Sequence, residues 1–195
     1  MKFLGYVVVI IAVLLGAAAG LYGYMGGFQA VRIGKETFGP AEIAYSTHVG
    51  PYRKLGESWG GFLAAWDKIG VGPCDSLGVY LDPPSTPEDK LRTVIACRID
   101  ALSEEDKAKV RAALPGFVIP QSEALTASFP FRNDLSFFLA PMKVYPEVQR
   151  VMEKEGLSAA VGIELYGETG KIKEISFIIP VGVTQADYQA LIDAF

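Results

Sequence analysis

No charged residue occurs between Lys2 and Arg32. The run FLGYVVVIIAVLLGAAAGLYGYMGGF fills most of that interval, and it exceeds the ~20 apolar residues a helix needs to cross a bilayer. A segment of this kind belongs either in a membrane or in a signal peptide that is removed. Ala17-Ala18-Ala19 before Gly20 has the small-residue form of a cleavage site. The apolar character continues beyond it through Leu21, Tyr22, Tyr24 and Met25, which favours an uncleaved single-pass anchor over residues 1–28. Gly16 and Gly20 have the spacing at which two such helices approach closely, so a homodimer through that face is one expectation. Lys2 favours a cytoplasmic amino terminus, while Arg32 and Lys35 pull the other way; the reading places the domain outside the cytoplasm.

Beyond the anchor, residues 29–183 read as an α+β domain. Half of the chain's residues are hydrophobic and 21% are charged, which suits a packed core. The net charge of −4 and the lack of a basic cluster argue against a nucleic-acid partner. VRIGKETF (31–38) and AEIAYSTH (41–48) alternate as strands and flank Gly39-Pro40, the form of a hairpin. Apolar residues Leu55, Trp59, Phe62, Leu63, Trp66 and Ile69 then trace one helical face. SLGVYLD (76–82) and LRTVIACRID (91–100) come next as strands, and SEEDKAKVRAA (103–113) as a polar connecting helix capped by Ser103.

The same order returns. EALTASFPF (123–131) and LSFFLAPM (135–142) read as a second hairpin around Arg132-Asn133-Asp134. A helix over 145–156 carries Pro146 in its first turn, and AAVGIELYG (159–167) and KIKEISFIIPV (171–181) close the set as strands. Two pseudo-symmetric ββαββ halves are therefore expected, forming an antiparallel sheet with two main helices. Tyr188, Leu191, Ile192 and Phe195 give residues 184–195 the apolar face of a short amphipathic helix.

GESWG (56–60) has the spacing of a serine-hydrolase nucleophile elbow. The elbow needs a strand running into a sharp turn, with the base following the serine in the chain. Here Ser58 falls within a helix, and His48, the chain's one histidine, precedes it. Gly56, Gly60 and Gly61 read instead as close-packing positions, and no catalytic residue is assigned.

Several motifs carry a family resemblance. They are His48-Val-Gly50-Pro51-Tyr52, Gly78-Val-Tyr80-Leu-Asp82-Pro83-Pro84, Pro87-Glu-Asp-Lys-Leu-Arg92 and Gly162-Ile-Glu164-Leu-Tyr166. Their order over residues 41–181 resembles the gyrase-inhibitor-like (GyrI-like) small-molecule-binding domain, also found as the effector-binding part of multidrug-sensing transcription regulators. Ala44-Tyr45, the Ser128-Phe-Pro-Phe131 stretch, Leu157 and the apolar amino terminus resemble its membrane-anchored branch, which includes a vertebrate ER-phagy receptor. That receptor's acidic, adaptor-binding tail has no counterpart in these residues, so its role is not expected to carry over. Asp187-Tyr188-Gln-Ala-Leu191 has the adaptor-binding spacing, but its apolar positions read better as packing onto the domain.

Strand alternation sends Val79, Leu81, Ile163 and Leu165 to one face and Tyr80, Glu164 and Tyr166 to the other. A pseudo-twofold would bring Tyr80 and Glu164 into a groove between the halves. A carboxylate among aromatic rings can hold a cationic or hydrogen-bonding ligand, and the resemblance implies such a site. Trp66 and Phe62 are further candidates for its lining. Many relatives carry a second glutamate on the last strand, where this chain has Ser176. This weakens the anionic centre, and with it the hydrolysis of reactive rings that some relatives perform. His48 reads as a structural hydrogen-bonding residue. Cys74 and Cys97 lack metal-ligand spacing, and no metal or cofactor is expected. Their strands form a hairpin, and its register could bring the two within disulfide reach. The function expected is binding of a small apolar or amphipathic molecule, cationic ones included. The alternatives are an adaptor for a protein partner at the membrane, or a hydrolase of reactive small molecules.

Overall fold

The computed structural model describes residues 2–83 and 85–195. Pro84, the last residue of one quoted motif, and Met1 lie outside the described residues. Helix α1 (Lys2–Tyr24) comes first. Its Gly5–Tyr24 stretch is long and apolar enough to cross a membrane, and none of it is buried against the domain.

Eight strands come after it, in one antiparallel sheet: β1 (Gly34–Phe38), β2 (Ala41–Val49), β3 (Asp75–Tyr80), β4 (Arg92–Arg98), β5 (Gly116–Ile119), β6 (Ser122–Pro130), β7 (Gly162–Glu168) and β8 (Glu174–Val181). Helix α2 (Leu55–Ile69) lies between β2 and β3, α3 (Glu104–Ala113) between β4 and β5, and α4 (Ser136–Glu155) between β6 and β7. The spatial order is β1-β6-β8-β7-β3-β4-β2-β5.

That order overturns the hairpin expected at Gly39-Pro40. β1 pairs with β6 at one edge of the sheet, whereas β2 pairs with β4 and β5 at the other. Only two residues separate β1 from β2, and only two separate β5 from β6. The sheet must therefore curl until its edges meet. They meet where a Cβ on Gly39 (φ +82) would lie 2.9 Å from the Pro120 carbonyl oxygen, so this crossing requires glycine. Hairpin and crossing have the same local sequence; the partner strands decide between them.

The stretch 135–142 is helical, which overturns the second expected hairpin and the expected helix start at Tyr145. Ser136, Ala140, Val144 and Val148 are all buried at a spacing of four, a helical stripe. The aromatic run Phe137-Phe138-Leu139 hides that stripe behind apparent strand character. Asn133 opens the helix by accepting a hydrogen bond from the Leu135 amide, and the Ser136 hydroxyl accepts one from that of Arg132. Pro141 and Pro146 thus sit inside α4. Each removes a backbone donor, and the Met142 carbonyl that would have bonded Pro146 lies on an exposed turn.

One core cluster unites residues from both ends of the sheet, Ile119 and Ala124 with Leu77, Val79, Val94, Ile163 and Ile178, and so fills the inside of the curl. Tyr188 and Leu191, both fully buried, close it from the carboxyl terminus. The expected 184–195 helix is shorter than read: a 3-10 turn (Gln185–Tyr188) and a last turn, α5 (Gln189–Ile192). With those two side chains buried, the Asp187–Leu191 stretch is packing. On the outer face the core splits in two. α4 covers β6 and β8, while α2 covers β2 and β4. The central pair β7-β3 runs between the two helices.

Cys74 and Cys97 are joined by a disulfide with a Cα–Cα distance of 5.3 Å. At the open end of the β3–β4 loop, the Arg92 guanidinium and backbone amide both donate to Asp82.

Candidate functional site

The gap between α2 and α4 is a groove of ≈1470 Å³ with mainly apolar walls. α2 contributes Leu55, Gly56, Trp59 and Leu63, and α4 contributes Phe137, Pro141, Tyr145 and Met152. The floor is the β3–β7 ladder. Val79 pairs with Ile163, and their side chains point inward to the core. Alternation then turns Tyr80, Glu164 and Tyr166 outward, into the groove. Two of the three face a glycine across the ladder: Tyr80 pairs with Gly162 and Glu164 with Gly78. Those glycines make room. A Cβ on Gly162 would come within 3.1 Å of the Tyr145 hydroxyl, and one on Gly78 within 3.3 Å of the Tyr166 hydroxyl.

The Glu164 carboxyl is the centre of the site and only 3% exposed. Tyr145 donates to its Oε1 at 3.0 Å, and Tyr166 donates to its Oε2 at 3.0 Å. The Tyr80 hydroxyl lies 3.4 Å from Oε2 and 2.9 Å from the Tyr166 hydroxyl. No cation bridges to the carboxylate among the described residues. Burial accordingly raises its pKa from 4.5 to about 7, and the three tyrosine hydroxyls limit the rise. Burial, and then the charge of Glu164, hold Tyr80, Tyr145 and Tyr166 well above the ordinary tyrosine value. Further rings surround this cluster. Tyr52 stands edge-on to Tyr80, Trp59 and Phe137 edge-on to Tyr166, and Phe177 edge-on to Tyr145.

Of the five residues read from sequence as lining, the structure brings together Tyr80, Glu164 and Tyr166. Phe62 (3% exposed) and Trp66 (1%) are core residues under α2, and the Trp66 indole donates to the Gly72 carbonyl at 2.8 Å. Ser176 is also displaced from its expected place. It pairs with Leu165, on the inward-facing side of the ladder, while Phe177 pairs with Glu164. An aromatic ring, and not a lost carboxylate, stands beside Glu164 on β8. Tyr145 escapes sequence reading because strand-like character over 135–142 puts the start of its helix at that very residue. The i, i+4, i+8 series Phe137, Pro141, Tyr145 is the available signal.

Gly56, Gly60 and Gly61 are not close-packing positions: a Cβ on any of them would meet nothing within 4 Å. Ser58 does lie within α2, yet His48 reaches it, Nδ1 to Oγ at 2.8 Å. Chain order argues against the elbow but leaves room for this contact. His48 Nε2 is buried without a partner, so no acid orients the ring among the described residues. No group of three or more metal-ligating side chains occurs among them either.

Solved structures share this fold. Its likeness to the EcmrR C-terminal domain has a TM-score of 0.56 at 12% identity, covering 77% of this chain and 97% of that one. With SAV2435 bound to tetraphenylphosphonium the score is 0.50 at 13% identity, covering 77% and 93%. At such identities the likeness is one of fold. No family model matches the chain. In sequence it is similar to testis-expressed protein 264 of Homo sapiens, 26% identical over 192 residues, 95% of this chain and 58% of that protein. The Mus musculus homolog is 25% identical over 179 residues, 88% and 54%. The chain thus spans little more than half the length of these relatives.

Proposed function

We propose that the chain is a membrane-anchored binding domain whose groove takes a small amphipathic molecule with a cationic or hydrogen-bond-donating head. One observation carries this reading: a buried carboxylate, ringed by aromatic side chains, without a cation of its own. Leaving a charge so placed is costly, and a ligand cation would relieve that cost while the rings supply apolar area and cation–π attraction. The tetraphenylphosphonium bound by SAV2435, a protein of the same fold, supports the choice of ligand class. Phe177, and not a second carboxylate, pairs with Glu164 from β8, which favours binding over chemistry by two adjacent carboxylates.

The β3–β7 pairing of Tyr80 with Gly162, and of Gly78 with Glu164, supports a pseudo-twofold between the halves centred near Val79 and Ile163. We read α1 as a single-pass anchor, and the Cys74–Cys97 bridge supports a domain held in an oxidising compartment. Native mass spectrometry of the full chain in detergent tests the binding reading. Lipophilic cations such as tetraphenylphosphonium should be retained, and neutral molecules of the same shape retained far less. Equal retention of both, or of neither, refutes it.

A further inference from the structure

The first turns of α4 carry an apolar stripe with no partner in the fold. Leu135 (56% exposed), Phe138 (61%) and Met142 (75%) succeed one another at i, i+3 and i+7, the spacing of one helical face. Large side chains aligned in this way need a covering surface. The stripe is contiguous with the groove, because Phe138 and its neighbour Phe137 line the groove, and Phe137 stacks edge-on against Tyr166.

The position of the end of α1 identifies the covering surface. Met25, directly after α1, is 3% exposed. A Cβ on Gly26 would lie 2.9 Å from Pro130 and 3.2 Å from Phe129. The Arg132 guanidinium stands 5.6 Å over the ring of Tyr24. The apolar helix therefore joins the domain without a free linker, at the turn between β6 and α4. From Pro130 to Leu135 the chain spans at most roughly 20 Å. Tyr22, Tyr24 and Phe28 are exposed at this junction, the aromatic composition of a membrane–water interface. Arg132 and Asp134 are the charged residues of the turn, and neither is buried.

The geometry points to a membrane-docking face: Leu135, Phe138 and Met142 rest in the interfacial layer of the bilayer that α1 enters, and so hold the Phe137–Phe138 mouth of the groove at lipid level. The ligand class this implies is an amphipath already partitioned into the bilayer, delivered sideways past Phe137 to Glu164. The inference rests on the reading of α1 as an anchor.

Single tryptophans introduced into the full chain, reconstituted in phosphatidylcholine vesicles, test it. Emission is compared with and without brominated acyl chains, and the unsubstituted chain provides the Trp59 and Trp66 background. Tyr6→Trp reports on α1, Met142→Trp on the stripe, and Val118→Trp on β5, beside the end of β6 away from Pro130. An interfacial helix face lies ~5–10 Å into the headgroup and acyl boundary, so Met142→Trp should be quenched at least about half as strongly as Tyr6→Trp. Val118→Trp should be unaffected, and adding Phe138→Glu should release the quenching of Met142→Trp. Quenching of Tyr6→Trp without quenching of Met142→Trp overturns the docking face and leaves the anchor standing. Absence of quenching at both positions overturns the anchor and the docking face together. A blue-shifted but unquenched Met142→Trp shows protein, such as a second copy of the chain, covering the stripe, and also overturns the proposal.

Discussion

Replacing Glu164 by Gln keeps the shape of the side chain and removes its charge. The amide oxygen still accepts from the tyrosine on its side, and the NH2 that replaces the other oxygen donates to the hydroxyls there, which turn from donors into acceptors. What changes is the response to pH. The Glu164 pKa is 4.5 when solvated and about 7 in the fold, raised by burial. The folded state therefore binds more protons than the unfolded state between those values, and stability falls as pH rises through that window. This is the reverse of an ion-paired carboxylate, which stabilises as pH rises. At 1.36 kcal/mol per unit, the rise amounts to about 3 kcal/mol of stability present below pH 4.5 and lost above pH 7. The assay is urea unfolding of the full chain in detergent micelles, followed by fluorescence of Trp59 and Trp66, for both proteins at several pH values. The advantage of Glu164→Gln over wild type should grow by about 3 kcal/mol between pH 4.5 and pH 8. A difference that stays constant across that range would show that Glu164 is solvated, and would refute the buried, unpaired carboxylate.

The same titration governs ligand binding. With a pKa of about 7 the carboxylate is mostly protonated at pH 6, so affinity for a lipophilic cation should rise about tenfold from pH 6 to pH 8, as equilibrium dialysis would show; a flat profile excludes Glu164 as the anchor. Gly60→Ala and Gly61→Ala should each stabilise the domain by about 0.5–1 kcal/mol in urea unfolding, because neither added Cβ meets another atom. Separating Cys74 from Cys97 by a Cys74→Ser, Cys97→Ser double substitution should cost about 2–4 kcal/mol. Thiol labelling of the folded wild-type protein should find neither cysteine free.

Much of the fold is legible in the sequence because its signals are local. The apolar offsets from Leu55 to Ile69 give α2, and alternation in the β3 and β7 segments assigns Val79 and Ile163 to the core and Tyr80 and Glu164 to the other face. The features that stay hidden depend on distant partners. Gly39-Pro40 has hairpin chemistry, but it carries the chain from one sheet edge to the other, where Pro120 meets it. That encounter is between residues some eighty positions apart, and no local pattern records it. The hidden half of α4 has a different cause. Aromatic and proline residues in SFFLAPM mimic a strand with a turn, and the stripe Ser136, Ala140, Val144 and Val148 becomes decisive only when read through them. Without that half-helix, Tyr145, a direct donor to Glu164, stays out of view. Ser176 differs from its expected place by one residue, enough in a strand to move a side chain to the other face.

The central claim is that Glu164 is the charge that holds a ligand in the α2–α4 groove. Isothermal titration calorimetry of tetraphenylphosphonium against the full chain and its Glu164→Gln variant, in detergent at pH 8, tests it directly. Loss of a charge-assisted contact is worth ~1.5–3 kcal/mol, so the variant should bind about ten- to a hundredfold more weakly while unfolding at no lower urea concentration than wild type. Equal affinity of the two proteins would contradict the account.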